Sequence, residues 1–328
     1  MSTNSKFSEW DKLGGPSLDP NYLSYKDVGI NSVFFVPALI RAFMAFISIL
    51  LNLSVCYITI KYSNTSILLG INSFFEILNQ SAQFIFLIIA GSGINLIPFG
   101  KIVFFQIFSI IGYYSTIFMF TTLSFDRLLG VAFPILYIKL NKRKYIYLHL
   151  ISIILLNCYI IYIIIKSSNN YYEWPVNGTL NDFISIISIE NNLLSSITFM
   201  FTPPLVLYFL IGLILFIKKV ISDELMKKIY KSLFLIVFIN IGGYILTLLI
   251  IIYILIPLIG INDPIKFLKL SVIYVMIVSI ASASNAPILY INSNDYRNAY
   301  KKEFKLIKQK IFKFLGIKQK QLFIKTII

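Results

Sequence analysis

Long apolar stretches alternate with short polar ones along almost the whole chain. Seven of them, at roughly 33–60, 67–90, 102–125, 146–166, 195–217, 232–256 and 267–290, are long enough to cross a bilayer, because about 20 apolar residues cover the hydrocarbon core as a helix. They are too long for barrel strands and show no period of two, so helices are the spanning structure they fit. The last two are parted by "GINDPIKF" (260–267), a turn signal built on Asp263-Pro264. Residues 1–32 are polar, carry Gly14-Gly15-Pro16 and lack the apolar core of a cleaved leader. The pattern predicts an all-α membrane protein. It has an N-terminal tail (1–32), a seven-helix bundle (33–290) and a basic tail (291–328).

Composition agrees with this pattern. Of 328 residues, 58% are hydrophobic and 13% charged, too little charge to cover the surface of a soluble domain. The formal charge of +15 suits nucleic acid in principle. The cations lie between apolar runs, however, so no nucleic-acid partner is expected. Cys56 and Cys158 fall inside apolar runs and read as small buried hydrophobes, with no disulfide framework or metal site. The one histidine, His149, stands at the inner start of the fourth run without metal-ligand spacing or a nucleophile–base pattern. No enzyme and no cofactor are expected.

Orientation follows from the Lys and Arg positions. With the N-terminus outside, 21 of the 29 fall on inner segments and seven on outer ones, leaving Arg41 within the first run. Cytoplasmic segments carry such an excess, which predicts N-terminus out and C-terminus in. Asn177-Gly178-Thr179 then lies in an outer loop as a glycosylation sequon. Arg41 reads as a marker of the outer interface, or as a residue that meets an anionic ligand.

The third run ends in "LSFDRLLGVAFPILY" (123–137), with adjacent charges at Asp126-Arg127 and a proline seven residues on, Pro134. On its own this reads as an interfacial ion pair with a snorkelling Arg127. With seven spans and the N-terminus out, it resembles rhodopsin-like G-protein-coupled receptors. The nearer likeness is to the nematode serpentine chemoreceptors of the srsx type, through "DRLLGVAFPILY" (126–137) with Tyr137. Further landmarks are Asn52 in "LLNLSVCYITIKY", Glu76 in "ILLGINSFFEIL", Pro203-Pro204, and Asn285, Pro287 and Tyr290 in "SNAPILYINSNDYRNAY".

The resemblance implies a receptor for a small extracellular molecule, with a heterotrimeric G protein as cytoplasmic partner. It implies a plasma-membrane location, in sensory-neuron cilia, and a switch formed by Asp126, Arg127, Pro134, Tyr137, Asn285, Pro287 and Tyr290. It also implies a hydrated, sodium-linked network of Asn52, Glu76 and Asn285, and a pocket near Ser109, Tyr113 and Tyr244. Simple polar glue between helices is the plainer reading of those three polar residues. After the seventh run, apolar residues at three- and four-residue spacing among lysines (294–321) predict an amphipathic helix on the membrane lipid.

The chain departs from that pattern in several places. No cysteine stands near Ile102 and none in the outer loop, so the usual disulfide is missing. Tyr244 and Leu246 replace the Trp and Pro of the sixth helix, and Gly242-Gly243 is expected to supply flexibility there. Asp223 and Glu224 fall in the loop before that helix, with no acid clearly placed to hold Arg127. The other classes weighed are a peptide or transmitter receptor of the same fold, and a small transporter. The latter should show repeated halves and several intramembrane charges.

Overall fold

The computed structural model describes residues 23–26, 28–62, 67–191, 199–218, 224–255, 257 and 264–314. The chain forms α1 (Ser32–Tyr62), α2 (Ile67–Gly91), strand β1 (Ile97–Pro98), α3 (Phe99–Ala132), α4 (Pro134–Lys139) and α5 (Lys142–Asn170). Strand β2 (Pro175–Val176), α6 (Leu180–Asn191), α7 (Thr202–Lys218) and α8 (Glu224–Leu249) follow, the last running into a π-helical segment at Ile250–Leu255. α9 (Pro264–Ala283), α10 (Asn285–Asn292) and α11 (Asn294–Phe314) complete it. Among the described residues, six helices are long and apolar enough to cross a membrane, and a shorter apolar helix covers Thr202–Ile214. The expected start of the fifth span at 195–198 lies outside the described residues, as do most of the tail 1–32, Asp223 and everything after Phe314.

The bundle is held from its centre outward. α3 is the most enclosed span and α5 the least. α2 packs on α1 and α3, α5 and α7 pack on α3, and α9 packs on α1 and α8. Glycine decides two of these approaches. A Cβ at Gly112 would lie 2.5 Å from the Asn79 backbone nitrogen, and one at Gly243 would lie 2.5 Å from the Ala281 Cβ. Gly243 therefore serves close packing of α8 on α9, not the flexibility expected of it. Lipid-facing apolar side chains remain outside, including Phe104, Phe105 and Phe108 on α3 and Leu148, Ile151 and Leu155 on α5. With every backbone bond inside a helix, such a surface suits hydrocarbon.

Several boundaries run beyond the hydropathy windows. α3 continues to Ala132, so Asp126-Arg127 lies inside the helix and does not close it. The stop is Phe133, which leaves the helical region (φ −131°, ψ 59°) immediately before Pro134, as the steric clash of a proline ring with a helical predecessor favours. Pro134 then opens α4, where its missing N–H costs nothing. The seventh span is divided at Ser284 between α9 and α10. Pro287 explains the place of the break, since its ring crowds the carbonyl four residues earlier.

The all-α membrane bundle stands as expected, with one small addition: β1 and β2 pair antiparallel, Ile97 with Val176 and Pro98 with Pro175. Within the long loop after α5, the helix α6 was not foreseen. The cysteines are not buried: Cys158 is exposed, and Cys56 is half-buried with its Sγ 3.3 Å from the Gly70 carbonyl. In a membrane protein an apolar run faces lipid as readily as the core, so location within such a run does not decide burial.

Candidate functional site

The bundle interior is unusually polar for a membrane core, and its polar groups form one connected line. Asn285 Nδ2 donates to Asn52 Oδ1 at 3.2 Å, and Asn240 Nδ2 on α8 donates to Asn285 Oδ1 at 2.7 Å. Asn52 Nδ2 also reaches the Ser282 carbonyl and hydroxyl, both at 3.1 Å, and Ser48 donates to Ser282 Oγ at 2.9 Å. The Ser282 hydroxyl lies beside the Glu76 carboxylate. The Tyr244 hydroxyl donates to Glu76 Oε2 at 3.1 Å and accepts from Asn79 Nδ2 at 2.7 Å. Ser282 carries the connection between Glu76 and Asn52. Four spans are joined, each by side chains whose exposure would be costly in hydrocarbon.

Among the buried oxygens near this line without a hydrogen-bond partner are Glu76 Oε1, Ser73 Oγ and Thr116 Oγ1. Ser81 bonds to Ser109 at 2.9 Å, and Gly112 meets Asn79, which fixes an antiparallel register of α2 on α3. One turn further along, that register sets Thr116 level with Ser73 and Glu76. An all-oxygen set with one carboxylate fits a hard cation, so these residues suit the sodium ion that the sequence likeness implies. Bound there, it would neutralise the Glu76 carboxylate; Glu76, Ser73 and Thr116 would hold it.

Above this line, towards the end of the bundle where α1 begins, lies a cavity of about 90 Å³. Tyr113 and Tyr244 line it, as the sequence suggests, and Asn79 and Tyr244 form its floor with the polar line below. Ser109 does not line it. That side chain is wholly buried and spends its hydroxyl on Ser81, joining α2 to α3. Arg41, expected at an interface, is 1% exposed and lines the cavity. Its Nη2 lies 3.4 Å from the Leu268 carbonyl and its guanidinium sits over Phe86, 5.2 Å from the ring centre.

The cavity is capped by α6 and the segment before it, which hold without a disulfide. Phe99 N–H donates to the Trp174 carbonyl at 2.8 Å, and Gly100 N–H to that of Tyr172 at 2.9 Å. Gln106 Nε2 donates to the Gly178 carbonyl at 2.6 Å, and Phe183 packs 5.1 Å from Phe99. Asp182, on the cap, accepts from Asn177 N–H at 3.0 Å. Burial pushes its carboxyl up to about 6, against the opposing pull of Asn177 N–H, Thr179 and Arg41. Asn177 itself is 4% exposed, and its Oδ1 accepts from Thr179 N–H at 2.9 Å. The sequon folds into a buried turn, a correction to its reading as a displayed glycan site.

At the opposite end, Arg127 pairs with Asp126 at 3.4 Å, and the Tyr137 hydroxyl donates to Asp126 Oδ1 at 3.1 Å. Tyr208 on α7 is near Ser124 and Arg127. Tyr290 is not part of this group. It is 37% exposed and stacks edge-on with Tyr300, 6.1 Å away. Pro287 and Tyr290 instead line a groove between α1, α10 and α11.

α11 docks along α1 by a polar seam. Tyr296 meets Thr59 at 2.7 Å, Tyr300 meets Ser54 at 2.8 Å, and Glu303 accepts from Lys61 at 2.7 Å, from Tyr57 at 2.9 Å and from Tyr62. Lys61 chiefly, with Tyr62, pulls the Glu303 carboxyl down to about 2.

The pattern described for the serpentine-type seven-transmembrane G-protein-coupled chemoreceptor Srsx matches residues 42–304. The chain belongs to this family. It is a chemoreceptor of the G-protein-coupled class and a multi-pass membrane protein, and its family is one of receptors and not of enzymes. No curated protein matches the chain. The match covers the first span from residue 42 and the later spans whole, the cavity lining apart from Arg41, and the Asp126–Arg127 pair, and it does not favour the transporter reading.

Proposed function

We propose that the receptor lies with its N-terminus outside, takes a small molecule into the cavity beneath α6, and signals to a heterotrimeric G protein at the Asp126–Arg127 end. The observation that carries this reading is the continuous polar line from the cavity floor at Asn79 and Tyr244, through Glu76, Ser282, Asn52 and Asn285, to Asn240. Ligand contact with Tyr244 acts on a residue of α8 that also holds Glu76. A ligand shifts the bundle only by binding two arrangements unequally, and Tyr244 is where such a difference enters.

In the resting arrangement Asp126 holds Arg127, and Tyr137 holds Asp126. Release of that pair frees Arg127 for the G protein as α8 moves. Pro287 contributes the break at Ser284 about which α10 adjusts. Tyr290 acts through α11, not through Arg127. The lysines of 291–328 favour anionic inner-leaflet lipid, with α11 lying along it. The plasma membrane of sensory-neuron cilia is the setting in which such a receptor meets its ligand.

Epitope tags at the two termini test the orientation, with intact and permeabilised cells compared. The N-terminal tag is expected to be stained on intact cells and the C-terminal tag only after permeabilisation. The reverse pattern overturns the reading. In the animal, a tagged receptor confined to ciliated endings supports the chemosensory setting; expression throughout muscle or gut contradicts it.

A further inference from the structure

Arg41 is a buried cation in search of a counter-charge. It is 1% exposed within an apolar span, where a charge is retained only when paired or facing a polar cavity. Among the described residues, the two ion pairs involve Lys61 and Arg127; no carboxylate lies within 4.0 Å of Arg41. Its Nε has no hydrogen-bond partner, and its single bond, at 3.4 Å to the Leu268 carbonyl, is at the long limit. Asp182 attracts it from beyond ion-pair distance and makes no direct contact with the guanidinium.

The cavity that Arg41 lines has no acidic side chain in its wall. Gln80, Gln83, Asn181 and Tyr274 supply neutral polar groups there. Such a chamber repels amines and attracts anions. A guanidinium presents parallel N–H groups that match a carboxylate two-on-two. Volume narrows the choice further. A dry cavity of about 150 Å³ accommodates benzene, six heavy atoms, so 90 Å³ favours a ligand smaller than benzene.

Resting on the chemoreceptor reading above, we propose that the ligand is a short carboxylate, its carboxylate on Arg41 and its small apolar end towards Tyr113 and Tyr244. The bound anion supplies the direct counter-charge that no side chain within 4.0 Å of Arg41 provides, and its apolar end bears on the aromatic ring that controls Glu76.

The test uses acetate, propionate and butyrate against propionamide, propylamine and chloride. Two readouts are taken on the full-length receptor: thermal stability in detergent, and G-protein nucleotide exchange in membranes. Propionate is expected to raise the melting temperature and evoke exchange, while propionamide, propylamine and chloride do neither. Arg41→Gln is expected to weaken the propionate response by about 30-fold or more, as loss of one partner of a buried charged pair does. Arg41→Lys, which keeps charge without the fork, falls between. Surface expression and the melting temperature of the ligand-free receptor show whether each variant is folded.

Stabilisation by propionate without any exchange supports the ligand class and contradicts the G-protein reading. Basal exchange with no effect of any carboxylate overturns the ligand class alone. So does an unchanged propionate response in a folded Arg41→Gln receptor, or a response to chloride or propylamine.

Discussion

Tyr244→Phe removes one oxygen and leaves the ring in place. That oxygen donates to Glu76 Oε2 at 3.1 Å and accepts from Asn79 Nδ2 at 2.7 Å. The ring also packs on Phe120, 5.3 Å away, and on Tyr113 and Phe201, both 6.2 Å away, and these contacts survive the substitution. Individual side-chain hydrogen bonds within membranes are worth about 0.6 kcal/mol on average and up to about 1.7. Two bonds lost together, with Asn79 and Glu76 left short of a partner, amount to roughly 1.4 kcal/mol.

That is a factor of ten in an equilibrium. If the bond holds α8 against α2 in the resting arrangement, an active population of about 1% rises to about 9%. Basal nucleotide exchange in membranes, normalised to surface receptor, should therefore increase several-fold. Basal exchange equal to wild type in a receptor of equal surface level refutes the role given to this bond. A drop would mean that the bond belongs to the active arrangement instead.

Other expectations follow from the same geometry. Gly112→Ala puts a methyl group against the Asn79 backbone; overpacking of this kind costs about 1–3 kcal/mol, visible as a lower melting temperature and reduced surface level. Glu303 has its carboxyl pulled below the ordinary 4.5 to about 2, so its stabilising effect is full above about pH 4.5 and is lost as pH falls toward 2. Spin labels on α1 and α11 in lipid discs should separate over that range and should be apart already at neutral pH in Glu303→Gln. Asn177, being buried, should carry no glycan, so glycosidase treatment should leave the gel mobility of the receptor unchanged.

Much of this arrangement is legible in the sequence because membranes simplify folding. Spans declare themselves by length, and Asn52 and Asn285 stand out as polar residues in apolar runs. What the sequence hides is the phase and depth of each helix. Asn240 and Ser282 look like incidental polar positions until the helices place them between Asn285, Asn52 and Glu76. Ser109 and Tyr113 lie one turn apart, yet one faces α2 and the other the cavity. Hydropathy also ends a span where polar residues begin, whereas α3 continues past Arg127 because only Pro134 forbids another helical turn. Arg41 is the sharpest case: charge in an apolar run suggests an interface, but its guanidinium lies under α6, whose helical character a hydropathy plot does not reveal.

The account rests on Arg127 as the residue through which the bundle acts on a G protein. Nucleotide exchange by Arg127→Ala, measured in the Tyr244→Phe background at matched surface levels, tests it without any ligand. Exchange that falls to the level of receptor-free membranes is the predicted result. Exchange that stays as high as in Tyr244→Phe alone contradicts it.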